Sequence, residues 1–587
     1  MSTNSSATGS ILSGLDSVNA TLGGSDEAST ALGLVHNLHF LLLEAKLLAS
    51  ALGIIYLGSH ASLRRPPSAS PSASAKDKTC RKQDKEENAI QGLEPSDAII
   101  FPLLASMILV GLYYLIQWLN DPTLLNKILR WYMSTMSTAS LLTLYSHFMQ
   151  LGTSLLFPRY WRGRDGNLRK VSQSTRSVSV CDDVGNAIAG APPESNPLPG
   201  SLAVFASSSR TRAVAWELRG LLYRPWDLDV FIHGIVEHKA QIKLAHVMAF
   251  LLSVATALTY FSTSWPLLSN VLGSGMCYAS FFVLSPTDFL TGSLVLVGLF
   301  VYDVVMVFYT PYMVTVATQL DIPIKLTFQS AKRQSMLGLG DIVIPGMVIA
   351  WALRLDLWLF YLTKVKYEAT DLKIMQKDAT SGELVIKREK KHKEIKARYV
   401  DVKGRWGDAL WTRGNFFLGR APRQQQPTEL AASVFPKTYF KAAMTGYLVG
   451  MMVTLTMLLV FKQGQPALLY LVPGVLGALL VTALRRGEMK KVWMYTEDGS
   501  LDTMDVVVDL DGEGQAAKTI GKVENGIVDL TKGDGSRGSD DSGDRKGDNA
   551  KEESDKEAST RPTGRVAKGG HRVLLLSLEA PSENEAD

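Results

Sequence analysis

The stretch SMLGLGDIVIPGMVIAWALRL, residues 335–355, carries one carboxylate, Asp341, near the start of a run that otherwise reads as membrane. A charged group in hydrocarbon costs at least a few kcal/mol, so its presence needs a chemical reason. The preceding apolar run, LTGSLVLVGLFVYDVVMVFYTP at 290–311, holds a second acid, Asp303. Both runs have the length that crosses hydrocarbon as a helix, so they point to a polytopic, all-α membrane protein.

The rest of the chain agrees. Of its 587 residues 46% are hydrophobic, and these are blocked into long runs rather than spread with a soluble period. Nine spans are expected, at about 40–59, 98–119, 124–151, 241–262, 265–284, 290–310, 336–361, 442–461 and 466–484. The first is marginal, with Glu44 and Lys46 near its start, and the fifth is weakened by Asn270, Gly273 and Gly275, so an eight-span count stays open. Three scattered cysteines, Cys80, Cys181 and Cys277, make neither a disulfide framework nor a metal-ligand spacing. Met1 to Asn37 lacks the basic start and short apolar core of a secretory signal.

The expected organisation is a lumenal tail at 1–39 and N-terminal helices at 40–284 with basic cytosolic loops at 60–97 and 158–240. The helices that hold the two acids follow at 285–488 with a basic insertion at 362–441, and then a mostly disordered cytosolic tail at 489–587. Orientation follows from lysine and arginine. No such residue precedes Lys46, whereas Arg64, Arg65, Arg159, Arg162, the KREKKHKEIKAR run and Arg485 and Arg486 share one side if there are nine spans. That side is cytosolic, which puts the N-terminus in the lumen. The glycosylation sequons at Asn4 and Asn19 fall on the side this assigns to the lumen. In the tail, Asp509 and Asp511 lack the other positions of a calcium loop and read as a local strand instead. The basic insertion reads as a solvated loop, with anionic lipid headgroups as its alternative contact.

Asp303 lies eight residues before Pro311, and Asp341 about six residues into the span expected to begin at Met336. At about 1.5 Å per residue both sit roughly 10 Å from the same membrane edge. Two like charges a few ångströms apart cannot both ionise cheaply, so such a pair shares a proton. One carboxylate then takes a proton from water attacking a peptide carbonyl, and the other donates to the developing oxyanion. Neither a metal nor a cofactor is needed. The acids alone favour a proton or cation conductor over a protease, and a buried structural hydrogen bond, common for one acid, suits two at matched depth less well. Gly338 and Gly340, flanking Leu339, would loosen the helix beside Asp341. A protease needs such a break, because a helical substrate hides its peptide bonds and must be held extended, as by strand addition. Pro466 in GQPALLYLVPG favours extended geometry at Gln465, or else starts a helix. Asp356, two residues from Arg354, reads as an interfacial charge at the other end of its span.

With YD at Tyr302 and Asp303, GLGD at 338–341 and QPAL at 465–468 on three late spans, the chain resembles the intramembrane aspartyl proteases of the presenilin and signal peptide peptidase family. LGLGDIVIPG, QPALLYLVP and FPLLAS (101–106) look like the signal peptide peptidase branch. The resemblance covers roughly residues 40–488. It implies a presenilin-like helical bundle in the endoplasmic reticulum membrane, with the N-terminus lumenal and the C-terminus cytosolic. The resemblance also implies that Asp303 and Asp341 are the catalytic pair, and that Tyr302, Gly338, Leu339 and Gly340 shape the site. Gln465, Pro466, Ala467 and Leu468 would form the loop beside it. The implied partners are type II membrane segments such as remnant signal peptides, the lipid bilayer, and a homo-oligomer or a degradation complex, with no nucleic acid. The alternatives are a conductor using the same acids and a non-cutting binder of membrane segments.

Overall fold

The computed structural model describes residues 25–71, 92–119, 122–163, 165–182, 185–188, 193–232, 236–320, 323–330, 333–377, 384–401, 403–412, 430, 435–461, 465–501, 506–510, 516–524, 527–529 and 574–579. The sequons at Asn4 and Asn19, and Cys80, lie outside the described residues. In chain order come α1 (Ser25–Ala61), α2 (Asp97–Leu119), α3 (Pro122–Leu156), β1 (Tyr160–Arg162), β2 (Leu168–Ser172), β3 (Ser177–Cys181) and α4 (Ser209–Tyr223). Then follow β4 (Trp226–Ile232), β5 (Val236–Ile242), α5 (Leu244–Thr263), α6 (Pro266–Val283), α7 (Phe289–Phe308) and α8 (Tyr312–Gln319). The hairpin β6 (Lys325–Ser330) and β7 (Arg333–Gly338) leads into α9 (Gly340–Leu362). After it lie β8 (Lys366–Lys377), β9 (Leu384–Ile395), α10 (Trp406–Thr412), α11 (Thr438–Phe461), α12 (Leu468–Arg486) and α13 (Met489–Met494). The last strands are β10 (Val506–Leu510), β11 (Ala516–Glu524), β12 (Ile527–Asp529) and β13 (Leu574–Glu579).

Two compact units result. One comprises Met1–Arg219, Ala245–Thr363 and Arg398–Asp502, and the other Gly220–Leu244, Lys364–Ala397 and Thr503–Asp587. The first is the helical bundle. Among the described residues, eight helices are long and apolar enough to cross a membrane. In α9, 83% of the spanning window is buried, against 6% in α2, so α9 is the central helix and α2 a peripheral one. Ile99, Leu103, Met107 and Trp118 on α2 point outward, as lipid-facing side chains do.

The expected third span falls in α3, which is not among those eight. Its polar residues explain why. Ser134 donates to the Ala257 carbonyl at 3.1 Å, Tyr145 meets Thr256 at 3.2 Å, and His147 meets Tyr278 at 2.9 Å. These residues join helix to helix, so they lower hydropathy without facing lipid. At one end of α3 Asn126 donates to Gln319 O; at the other, Gly407 N donates to Ser154 and Trp411 to Leu155 O. The helix therefore runs the length of the bundle.

Glycine packing joins α11 to α12. A Cβ built at Gly446 would collide with the Gly474 carbonyl, and one at Gly450 would come within 2.8 Å of the Tyr470 carbonyl. Such small-residue seams let backbones approach without lipid between them. Gly446→Leu is expected to lower stability by about 1–3 kcal/mol through overpacking. An unchanged melting temperature in detergent would show that the seam does not hold the pair.

The second unit is built of strands. Around a closed barrel the order is β10-β11-β12-β8-β9, with β12 parallel to β8, and β13 pairs antiparallel with β4, which pairs with β5. The helical membrane bundle stands as expected, but disorder does not extend to these parts of the loops and tail. Short β-branched pieces such as Val506–Leu510 are too polar around them to read as a core. Val506–Leu510 pairs locally with β11, as a local strand would, but its other neighbour lies far along the chain, where Val507 faces Lys393.

Candidate active site

Asp303 sits five residues before the end of α7, buried at 4% exposure. Asp341 is the second residue of α9, in its first turn. The two helices pack together, and the carboxylates lie within electrostatic reach of one another. The expected start of the seventh span at Met336 is corrected here. Residues 336–338 belong to β7, and the helix begins only at Gly340. The hairpin, not a helical turn, delivers Asp341 to Asp303. Gly338 and Gly340 therefore mark a strand-to-helix junction rather than a break within a helix. A Cβ at Gly338 would lie 3.4 Å from Asp341 Oδ2, so hydrogen at this position leaves the carboxylate's side open.

The QPAL element arrives from α12. Gln465 and Pro466 are non-helical, Ala467 caps the helix, and the Leu468 N–H donates to Asp303 Oδ2 at 3.0 Å. Pro466 lies just before the Ala467 cap rather than in the first turn, so the reading of it as a first-turn proline does not hold; the helix that begins after it lies against the acid. A helix N-terminus favours a nearby negative charge. Tyr302 is half-buried and lies within electrostatic range of Asp303. Leu339 donates its N–H to Ile324 O at 3.0 Å and accepts from Ile342 and Val343 at 3.1 and 2.9 Å.

The structure adds residues that sequence reasoning missed. On α6, a Cβ at Gly273 would come within 3.3 Å of Leu339, and Cys277 Sγ lies 4.0 Å from Leu339 O. Asn270, one helical turn before Gly273, bonds the backbone of β6. The polarity and glycines that weakened the fifth span were the available signal. Tyr447 on α11, fully buried, donates to Asp341 O at 3.4 Å; nothing in the sequence marked it. That bond is long, so Tyr447→Phe is expected to cost less than about tenfold in activity. A loss of a thousandfold would instead place the phenol in the chemistry.

Asp356 is not an interfacial charge. It is buried and accepts from the Tyr439 and Phe440 amides at 3.1 and 2.9 Å, capping α11. The first turn of a helix leaves amides without intrahelical partners, and a carboxylate satisfies them.

A family model described as signal peptide peptidase matches residues 85–499. A probable intramembrane protease of Saccharomyces cerevisiae is 25% identical over 465 residues, 74% of this chain and 64% of the relative. A probable intramembrane protease of Schizosaccharomyces pombe is 33% identical over 258 residues, 43% of this chain and 65% of the relative. The signal peptide peptidase of Homo sapiens is 30% identical over 243 residues, 40% of this chain and 45% of the relative. The matched part of the chain thus covers less than two thirds of the length of each of these relatives. No solved structure matches. With the apolar bundle and the meeting of α7, α9 and α12 at the paired acids, the match over 85–499 makes this chain a multi-pass membrane protein that belongs to the signal peptide peptidase family.

Proposed function

We propose that the chain is an intramembrane aspartyl endopeptidase that cleaves type II membrane segments such as remnant signal peptides. The observation that carries this reading is the packing of α7 against α9, which bring Asp303 and Asp341 together, with β7 ending three residues before Asp341. One carboxylate takes a proton from water as the water oxygen bonds to the peptide carbonyl carbon. The other, protonated, donates to the carbonyl oxygen. Collapse of the tetrahedral intermediate breaks the C–N bond, and a carboxyl proton goes to the leaving nitrogen. The strand edge of β7 offers main-chain bonds to an unwound substrate, holding its peptide bond extended beside the acids. Family membership favours this reading over conduction and over non-cutting binding.

The test is incubation of the purified protein in detergent with a synthetic type II signal-peptide segment, with products identified by mass spectrometry. Cleavage within the apolar stretch supports the reading. An intact peptide, together with proton flux in proteoliposomes, would favour the conductor.

Endoplasmic reticulum residence, a lumenal N-terminus and a cytosolic C-terminus belong to the same proposal. In the bundle, Arg64, Ser285, Arg354 and Glu497 gather at one end, so the connection after α1, the α6–α7 connection, the end of α9 and the segment after α12 share a side. That is the sidedness nine crossings require. A C-terminal tag should be digested by protease added to sealed microsomes, and a protected tag would reverse the orientation.

A further inference from the structure

The hairpin that carries Asp341 has two edges, and α6 closes one of them. Thr327 N donates to Asn270 Oδ1 at 2.8 Å, and Asn270 Nδ2 donates to Thr327 O at 2.7 Å. The side-chain amide thus makes the two bonds that a neighbouring strand would make. The register shows that these groups lie on the outer edge. Leu339 bonds Ile324 O, and Leu326 and Leu337 are opposite each other two residues further on. In an antiparallel pair, hydrogen-bonded and non-hydrogen-bonded positions alternate. The intervening pairs, Lys325 with Gly338 and Thr327 with Met336, therefore turn their main-chain groups away from the partner strand. On β6 the outward groups of Thr327 are taken by Asn270. On β7 the outward groups belong to Met336 and Gly338, both exposed, and among the described residues no bond to them is recorded.

We propose that Asn270 is a positioning residue that closes the β6 edge, so that an extended substrate adds only to β7 and arrives in register with Asp341. The proposal rests on the protease reading for its substrate, but the edge closure is geometric. α6 is suited to this role. One turn after Asn270, Gly273 leaves room for Leu339 and for the Pro323 carbonyl, which a Cβ would meet at 3.3 and 3.4 Å. The helix thereby lies close enough for a short side chain to reach β6. A strand added at β6 would pair on the side of the hairpin opposite the edge that runs into Gly338 and Asp341.

The experiment uses the full-length Asp303→Ala chain, which keeps the hairpin, and a synthetic type II signal-peptide segment carrying a photoreactive leucine. Labelled residues are mapped by mass spectrometry. With Asn270 present, labelling of 334–338 should exceed that of 325–329 by about tenfold, the order of one ordinary hydrogen-bonding advantage. Adding Asn270→Ala should bring labelling of 325–329 to a comparable level. Asn270→Asp, which keeps an acceptor for Thr327 N but loses the donor to Thr327 O, should give an intermediate pattern. Equal labelling of both strands with Asn270 present, or no labelling of the hairpin, overturns the proposal. So does an unchanged pattern in either variant that melts with its parent. A purely structural role for Asn270 would lower stability without redistributing the label. Wild-type cleavage of the same segment, run alongside, separates the two readings. Cleavage with misplaced label defeats only the edge closure, and correct label without cleavage defeats only the protease.

Discussion

Replacing either Asp303 or Asp341 by Ala is expected to lower the cleavage rate by at least about 10³-fold while leaving the bundle folded. Acid–base groups typically contribute 10²–10⁴ each, and groups acting as a unit lose nearly all activity with the first deletion. The two positions should therefore not be additive: the double variant should be no slower than either single one. Asp303→Asn is the sharper probe. It keeps an acceptor for the Leu468 N–H at nearly the same shape, so the α12 contact survives while the exchangeable proton is lost. A single variant retaining a tenth of the wild-type rate, with an unchanged melting temperature, would remove that aspartate from the chemistry.

The second large effect lies at the other end of α9. Arg354, at 3% exposure, donates to Glu497 Oε1 at 2.7 Å, to Ser285 at 2.8 Å and to Ser62 at 3.1 Å. Arg64 pairs with the other Glu497 oxygen, and the Tyr495 hydroxyl donates to Oε1 at 2.7 Å. Burial by itself would raise the Glu497 pKa, but the Arg354 and Arg64 charges and these donors bring it down from 4.5 to about 2. Glu497→Gln removes the counter-charge of the buried Arg354 guanidinium and one charge partner of the partly buried Arg64. The expected loss is about 3–5 kcal/mol, the usual result of removing one partner from a buried pair. The pH dependence has a definite sign. A carboxyl held below its unfolded value contributes stability in full above about pH 4.5, and that contribution is lost as pH falls toward 2. Melting curves of the wild type should therefore drop more steeply through that window than those of Glu497→Gln. Parallel curves would show that the carboxylate does not stabilise the folded bundle.

The readings made from residues alone and those that needed packing divide along a physical line. The blocks of apolar residues specify a membrane bundle, because hydrocarbon demands helices of a certain length whatever their neighbours are. The two acids and the QPAL segment could be singled out because each breaks a local rule, a charge in an apolar run or a proline beside one. Other features depend on which surfaces meet. Met336 to Gly338 reads as the first turn of a span, yet it is strand, because Lys325–Ser330 pairs with it across a two-residue connection. Asn270 and Gly273 look like defects in a helix until α6 is seen against the hairpin. Arg354 and Asp356 are two residues apart, but one reaches Glu497 and the other the first amides of α11. Hydropathy and spacing are properties of a segment. Hydrogen-bond partners, glycine seams and the pairing of charges are properties of an interface, and only the folded bundle brings its two sides together.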